Sequence, residues 1–320
     1  MSARPGAFPR RPLGRTSLAV PEICFGGGAL SSMPAAFGYE VPEERAVATV
    51  RAVLDSDAAF LDTAAGYGDD GRGERVVGAA LAERGGLPPG AVLATKVDRD
   101  PATGDFSAAQ VRRSFEGSLE RLGLDHVQLL YLHDPEHIPF ERAVAPGGPV
   151  DELVRVRDEG LAAHIGVAGG PVDLMGRYVA TGAFEVLLTH NRWTLIDRSA
   201  DALIDAARAA GLAVVNAAPF GGGILAKGPD AHGRYAYREA NDAILGRVRE
   251  IEAACARHDV PLAAAAIQFS TRDPRIASTA IGVTRPERVG ETLRLARLPI
   301  PDELWPVVEG LAAPPSHWQH

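Results

Sequence analysis

Phe60-Leu61-Asp62-Thr63-Ala64-Ala65-Gly66-Tyr67-Gly68 is the stretch from which the fold can be read. An apolar run, Ala58-Ala59-Phe60-Leu61, stops at Asp62, and Tyr67 follows in a turn flanked by glycines. That is the pattern of a buried strand handing side chains to a loop. Two later apolar runs also end on a polar group: Ala91-Val92-Leu93-Ala94-Thr95 stops at Lys96, and Val127-Gln128-Leu129-Leu130-Tyr131-Leu132 at His133. A barrel of parallel strands collects its catalytic groups in this way, at the ends of successive strands. Asp62, Tyr67, Lys96 and His133 are therefore expected to form one proton-transfer site.

The alternation extends outward from these three strands. Upstream, residues 23–28 form a short apolar run ending in Gly26-Gly27-Gly28, which permits close backbone approach at a strand end. Residues 1–21 read as an extended lead-in with turn chemistry at Pro12-Leu13-Gly14-Arg15-Thr16, suited to closing one end of a barrel. From Pro42 the period becomes helical, with Glu43 and Glu44 in the first turn and an apolar stripe of Ala46, Val47, Val50, Val53 and Leu54. Helices are expected over 73–84 and 107–122, the second capped by Ser107. Downstream come a helix over 150–159, a strand over 162–167, a helix over 172–181, a strand over 184–189, a helix over 200–210 and a strand over 212–216. Helices over 239–258 and 261–270 follow, the latter opened by Pro261, then a strand over 276–281 and a helix over 286–294. Eight strands alternating with helices predict an α/β fold, a single (β/α)8 TIM barrel domain over residues 1–320, finished by a C-terminal helix over 301–311 and a tail. Residues 135–149, rich in proline, and 221–234, rich in glycine, are candidate functional loops.

Composition narrows the function. A 320-residue chain that is 46% hydrophobic supports a substantial core. A net charge of -8, from 33 basic and 41 acidic residues, argues against a nucleic-acid-binding surface. Cys24 and Cys255 offer neither a disulfide framework nor metal-ligand spacing, and a reducing cytoplasm fits them best. No stretch approaches the roughly 18 apolar residues of a membrane span, and residues 1–15 lack the apolar core of a secretion signal. The expected partner is a small molecule, not nucleic acid or a membrane; the oligomeric state is not legible.

The four groups suit one kind of chemistry. A free phenol titrates near 10, so Tyr67 needs an ammonium beside it to lower that value, and a carboxylate to hold the ammonium. Lys96 and Asp62 supply these, while His133 hydrogen-bonds a substrate oxygen. Such a set moves a proton to or from one oxygen and contains no activated nucleophile, which favours hydride transfer over hydrolysis. A metal-dependent hydrolase is disfavoured, since no His-x-His pair or carboxylate cluster stands at the strand ends. Taken singly, each residue has a plainer reading: Asp62 as a turn cap, Tyr67 as surface, Lys96 as a solvated strand end, His133 as a cap. Only the joint arrangement argues for a site. His164 and Trp193 read as structural, His190 is evenly balanced, and the Gly221-Gly222-Gly223 cluster alone is a weak signal.

At these residues the chain resembles the aldo-keto reductase family, whose tetrad of Asp, Tyr, Lys and His follows successive barrel strands. The matching motifs are Leu-Asp-Thr-Ala-Ala-Gly-Tyr-Gly around Asp62 and Tyr67, Ala-Thr-Lys-Val at Lys96 and Leu-His-Asp-Pro at His133. The likeness continues through Arg11-Pro12-Leu13-Gly14-Arg15-Thr16, Ile165-Gly166-Val167, Ala218-Pro219-Phe220 with Gly223-Ile224-Leu225, and Pro286-Glu287-Arg288-Val289. It implies a nicotinamide cofactor, NADP or NAD, and no metal. It also implies cofactor contacts at Gly27, Asp62, Ala168, His190, Ala218, Pro219, Phe220, Gly221, Gly223, Ile224, Gly282, Thr284, Arg288, Glu291 and Thr292. The loop 219–224 would cover the pyrophosphate, and residues 282–292 would hold the adenosine end.

The chain also departs from the best-known reductases. Ala168-Gly169 stands where they carry Ser-Asn, His190 where they carry Gln, and Ala217 where an aromatic stacks on the nicotinamide. Gly282-Val283 replaces the Lys-Ser of many NADPH-specific members while Arg288 remains, so NAD is admitted beside NADP. Leu132-His133-Asp134-Pro135-Glu136, Arg192-Trp193-Thr194-Leu195-Ile196 and Ile300-Pro301-Asp302-Glu303-Leu304-Trp305 resemble the branch of aldose and L-galactose dehydrogenases. These oxidise the anomeric carbon of L-fucose, L-galactose or D-threo-aldoses to a lactone, and in that direction Tyr67 would act as the base. The alternatives are a general NADPH-dependent aldehyde or ketone reductase, a pyridoxal dehydrogenase, or a non-catalytic cofactor-binding regulatory protein, since fold alone does not give function.

Overall fold

A computed structural model of the chain describes residues 8–318. The first part of the lead-in, residues 1–7, and the tail residues Gln319 and His320 lie outside the described residues. In chain order the strands are β1 (Arg10–Pro12), β2 (Ala19–Pro21), β3 (Ile23–Gly26), β4 (Phe60–Asp62), β5 (Val92–Val97), β6 (Val127–His133), β7 (Ala162–Gly169), β8 (Val186–His190), β9 (Ala213–Ala217), β10 (Arg234–Tyr235), β11 (Arg238–Glu239) and β12 (Ile276–Gly282). Strands β12-β3-β4-β5-β6-β7-β8-β9 close into a barrel in that order. Every neighbouring pair is parallel, so the C-terminal ends of all eight open at one mouth.

Helices cover the outside because their apolar stripes face the strands. Helix Glu43–Leu54 buries Ala46, Val47, Val50, Val53 and Leu54 and keeps Glu43 and Glu44 in its first turn. Helix Ala108–Leu122 starts where Ser107 accepts a hydrogen bond from the Gln110 backbone N–H at 3.3 Å, and stops at Gly123 in the left-handed region. Helix Arg72–Arg84 packs closely on it, since a Cβ at Gly78 would lie 2.1 Å from the Arg121 carbonyl oxygen.

The lead-in closes the other end of the barrel. β1 and β2 form an antiparallel hairpin that buries Leu13 and Val20 among Phe60, Val92, Leu129, Val186, Ala213 and Ala277 in the barrel interior. The turn needs Gly14, whose φ is +59° and whose added Cβ would lie 2.5 Å from the Ala213 nitrogen. Arg11 fastens the hairpin by donating to Glu22 and to the carbonyls of Thr271, Asp273 and Ile276 at 2.6 to 2.9 Å. The floor is therefore packed, and polar chemistry is left to the mouth.

The expected elements form, with local differences. The first barrel strand stops at Gly26, and Gly27–Leu30 turns as a 3-10 helix. The proline-rich loop carries the short helices Pro135–His137 and Phe140–Ala143. The glycine-rich loop carries Gly221–Gly223 and Ile224–Lys227 before leading into the β10–β11 hairpin. The helix expected from 239 starts at Asp242, because Arg238 and Glu239 pair with β10 and Asn241 caps the helix by accepting from the Ile244 N–H at 2.9 Å.

Leu13 tests the floor. Leu13→Ala should destabilise the protein by about 2–4 kcal/mol in urea unfolding while leaving turnover of the folded enzyme unchanged. A loss below about 1 kcal/mol would show that the floor collapses around the cavity, and that the hairpin is not a packed plug.

Candidate active site

Asp62 ends β4, and the chain beyond it follows β5 instead of leaving the barrel. Thr63 N–H donates to the Ala94 carbonyl at 2.9 Å and Ala65 N–H to the Lys96 carbonyl at 3.1 Å. That path brings Tyr67 back over the mouth, where Gly68, at φ +74°, passes so close to Ser31 that a Cβ would lie 2.3 Å from its carbonyl oxygen. Lys96, 1% exposed, points to the same place from β5. Its ammonium donates to Asp62 Oδ2 at 2.6 Å, the Thr63 carbonyl at 2.9 Å and the Tyr67 hydroxyl at 3.0 Å. All three of its protons are thereby used.

Burial alone would lower the Lys96 pKa, but the Asp62 carboxylate and Tyr67 outweigh it and hold it above its ordinary value. Tyr67 departs from the expected lowering. Burial pushes its pKa up, and the Lys96 ammonium, which pulls it down, does not compensate. Tyr67 is thus a protonated phenol at neutral pH. Because Lys96 can only donate to the phenol oxygen, the Tyr67 proton is directed elsewhere.

His133, at the end of β6, meets Tyr67 edge to face with ring centroids 5.4 Å apart. The structure thus brings Asp62, Tyr67, Lys96 and His133 together. Beside them stand groups that the sequence did not single out. Asp98, just past β5, lies 2.7 Å from His133 Nδ1. Asp134 sits at φ +41°, with its carboxylate 3.8 Å from His133 Nε2 and 3.8 Å from His190 Nε2. Burial pushes the Asp134 pKa up, but His133 and then His190 dominate and hold it well below the usual carboxylate range. His133, in turn, is lowered by burial but raised further by Asp98 and Asp134, so its pKa stands above that of an ordinary histidine. The loops after β3 and β9 supply an aromatic edge, where Phe37 and Tyr237 meet at 5.7 Å and Phe37 and Tyr67 both face Gly28.

Several of the expected cofactor positions lie at or just beyond the C-terminal ends of barrel strands. Gly27 is buried against Thr63, Ala168 lies in β7, His190 ends β8, and Gly282 ends β12. Beyond β9, Ala218, Gly221, Gly222 and Gly223 all have positive φ, with Pro219 and Phe220 between Ala218 and Gly221. Ile224 is fully buried and Thr292 nearly so. Arg288 is paired with Glu291 at 2.8 Å, near Thr284 at the head of helix Glu287–Ala296. The residues fit a nicotinamide cofactor at one further point that sequence reading missed. Asn191, at φ +58° after β8, donates its amide nitrogen toward His190 Nδ1 at 3.2 Å, and its Oδ1 is buried without a hydrogen-bond partner. That oxygen would accept a hydrogen bond from the carboxamide NH2 of a nicotinamide. When bound, the cofactor supplies the hydride acceptor or donor.

A closed parallel barrel with a buried Lys–Asp pair holding a phenol at its mouth has the groups an NAD(P)-dependent oxidoreductase needs to handle a proton at one oxygen. The pattern of the Aldo/keto reductase family matches residues 22–313, and the chain belongs to that family. It is 31% identical to a D-threo-aldose 1-dehydrogenase of a Pseudomonas species, over 90% of this chain and 93% of that one. It is 30% identical to a pyridoxal 4-dehydrogenase of Microbacterium luteolum, over 95% and 98%. The solved holo form of an aldo-keto reductase from Bacillus halodurans superposes with a TM-score of 0.79 at 22% identity, over 97% of this chain and 99% of that one, and shares the fold.

Removing the carboxylate leaves Lys96 buried and uncompensated. Asp62→Asn should cost about 3–5 kcal/mol of stability. Denaturant unfolding at pH 7 checks this, and a loss within about 0.5 kcal/mol would mean that the pair contributes little to holding the mouth together.

Proposed function

We propose that the enzyme oxidises the anomeric carbon of an aldose to a lactone with NAD(P)+, using Asp62, Tyr67, Lys96 and His133 as its proton-handling site. Aldoses and pyridoxal, the compounds for which the two relatives are named, share one property: an aldehyde within reach of a hydroxyl, which closes to a cyclic hemiacetal. Its carbon bears both a hydrogen and a hydroxyl, so loss of hydride and a proton gives a lactone. Asp62 holds Lys96, Lys96 holds the Tyr67 oxygen, and the Tyr67 hydroxyl is left to hydrogen-bond the reacting oxygen.

The observation that favours a sugar is Asp134. Its Oδ1 is buried without a hydrogen-bond partner, beside His133 and His190 at the mouth. An ionised carboxylate with spare acceptor sites suits vicinal hydroxyls and is ill suited to an apolar aldehyde. One observation favours the alternative, a reductase working with NADPH: Tyr67 rests protonated and is a ready proton donor. The Arg288–Glu291 pair puts a carboxylate beside the cation expected to hold a 2′-phosphate, which supports use of NAD as well as NADP. Cys24 and Cys255, both free and buried, suit a reducing compartment such as the cytoplasm. No helix among the described residues is long and apolar enough to cross a membrane.

Nicotinamide absorbance, followed with NAD and NADP separately against L-fucose, L-galactose, D-arabinose and pyridoxal, tests this reading. Sugar oxidation is expected, falling at least about 100-fold in Tyr67→Phe. Asp134→Ala should raise KM for the sugar by about 10–100-fold and leave reduction of a simple aldehyde nearly unchanged. Consumption of NADPH by simple aldehydes, with no sugar oxidised, would sink the aldose assignment.

A further inference from the structure

Glu74 is a fully buried carboxylate in the first turn of helix Arg72–Arg84, behind the barrel wall. Its Oε1 accepts from the hydroxyl of Thr95 in β5, and its Oε2 lies 2.8 Å from Arg121 Nε and 2.7 Å from Arg121 Nη2. Thr95 is the residue before Lys96, and alternation along the strand sends its side chain outward as that of Lys96 goes inward. Arg121 comes from helix Ala108–Leu122 through space that glycines leave for it. A Cβ at Gly71 would lie 2.4 Å from Arg121 Nε, and one at Gly117 would lie 2.8 Å from Nη1. Gly71, at φ +67°, belongs to the turn that follows Tyr67. The start of the Glu74 helix also touches Tyr67 itself: the Gly73 N–H donates to the Tyr67 carbonyl at 2.9 Å, and a Cβ at Gly73 would lie 3.0 Å from Tyr67 Cβ.

We propose that Glu74 is a positioning residue: through Thr95 on one side and Gly73 on the other, it sets the contact between the Lys96 ammonium and the Tyr67 hydroxyl. These two groups stand on different segments, and their 3.0 Å contact depends on how the Tyr67 loop lies against β5. Before Tyr67 the loop is pinned to β5 by backbone bonds, from Thr63 to Ala94 and from Ala65 to Lys96. After Tyr67 it has the Gly73 bond to the helix start, and Glu74 ties that start to the same strand at Thr95. The loop is thus held to β5 on both sides of the phenol. A buried carboxylate has no water to exchange for its partners, so the tie holds only while Thr95 and Arg121 both supply their donors. Displacement of a reacting group by about 1 Å can cost about 100-fold in rate. Glu74 therefore acts on the reaction only through the placement of Tyr67 and Lys96.

Thr95→Val tests the tie without altering any charge, and Thr95→Ser, which keeps the hydroxyl, is the conservative variant. The chain has two lysines, Lys96 and Lys227, so protein labelled with nitrogen-15 at the lysine side chain gives two ammonium signals, assigned by Lys227→Arg. Wild-type Lys96, with all three protons bonded, should exchange them slowly with water. In Thr95→Val the Lys96 signal should shift and its exchange quicken about tenfold or more. There kcat should fall about 10–100-fold while KM changes less than about threefold, and Thr95→Ser should restore both the signal and kcat. The kinetic arm uses whichever of the sugar and aldehyde assays gives turnover, so it does not rest on the choice of substrate. Arg121→Lys, which keeps the charge and loses the planar fork, should shift the same signal and lower kcat, and it decides if Thr95→Val does not fold. A Thr95→Val protein that melts earlier while the Lys96 signal, its exchange and kcat stay at wild-type values would make Glu74 purely structural and overturn the proposal. A fall in kcat with the Lys96 signal unmoved would overturn it as well.

Discussion

A lysine ammonium buried at the mouth of the barrel constrains everything around it. A desolvated cation is tolerated only where acceptors are fixed in place for each of its protons. Lys96 finds them in Asp62, the Thr63 carbonyl and Tyr67, all from the strand beside its own and the turn that follows. The parallel pairing of β4 with β5, which sets Asp62 opposite Ala94, is what puts carboxylate and ammonium within reach. The continuation of that ladder through Thr63 and Ala65 is what returns Tyr67 to the same spot. Register, loop path and ion pair are one requirement seen at three scales.

A second set of charges balances the first across the mouth. Asp98 and Asp134 flank His133, and His190 faces Asp134 from β8. Carboxylates on both sides stabilise a protonated imidazole, while a buried phenol beside an ammonium remains neutral. The two halves therefore differ in kind, the lysine half holding a neutral phenol oxygen and the histidine half favouring the charged ring between two carboxylates.

Much of this arrangement is legible in the amino-acid sequence. Asp62, Lys96 and His133 each end an apolar run, and a parallel barrel converts strand ends into one cluster, so linear pattern alone brings them together. The floor is legible in Pro12-Leu13-Gly14 for a similar reason, since turn chemistry beside apolar residues is local information. Asp98, Asn191 and the partners of Asp134 are not. Their roles arise from contacts between elements and from positive φ values at Asp134 and Asn191, which non-glycine residues do not announce. The helix start at Asp242 escapes a reading by pattern because the pairing of Arg238 and Glu239 with β10 outweighs their helical propensity. The net shift of Tyr67 escapes it too, because a sequence shows which charge stands nearby but not how much water is excluded.

The protonated state of Tyr67 bears on the direction of the reaction. A lysine next to a tyrosine is read most simply as a device for making phenolate, yet the attraction must exceed the cost of burying the charge, and here it does not. What Lys96 does without ambiguity is geometric: it occupies one side of the phenol oxygen and leaves the O–H to the substrate. A hydrogen-bond donor at that position serves a carbonyl and an alcohol alike, stabilising the oxygen as charge develops in either direction. The other wall of the mouth carries the groups that distinguish one substrate from another: Asp98 pairs with His133, and Asp134 keeps a buried acceptor oxygen without a hydrogen-bond partner.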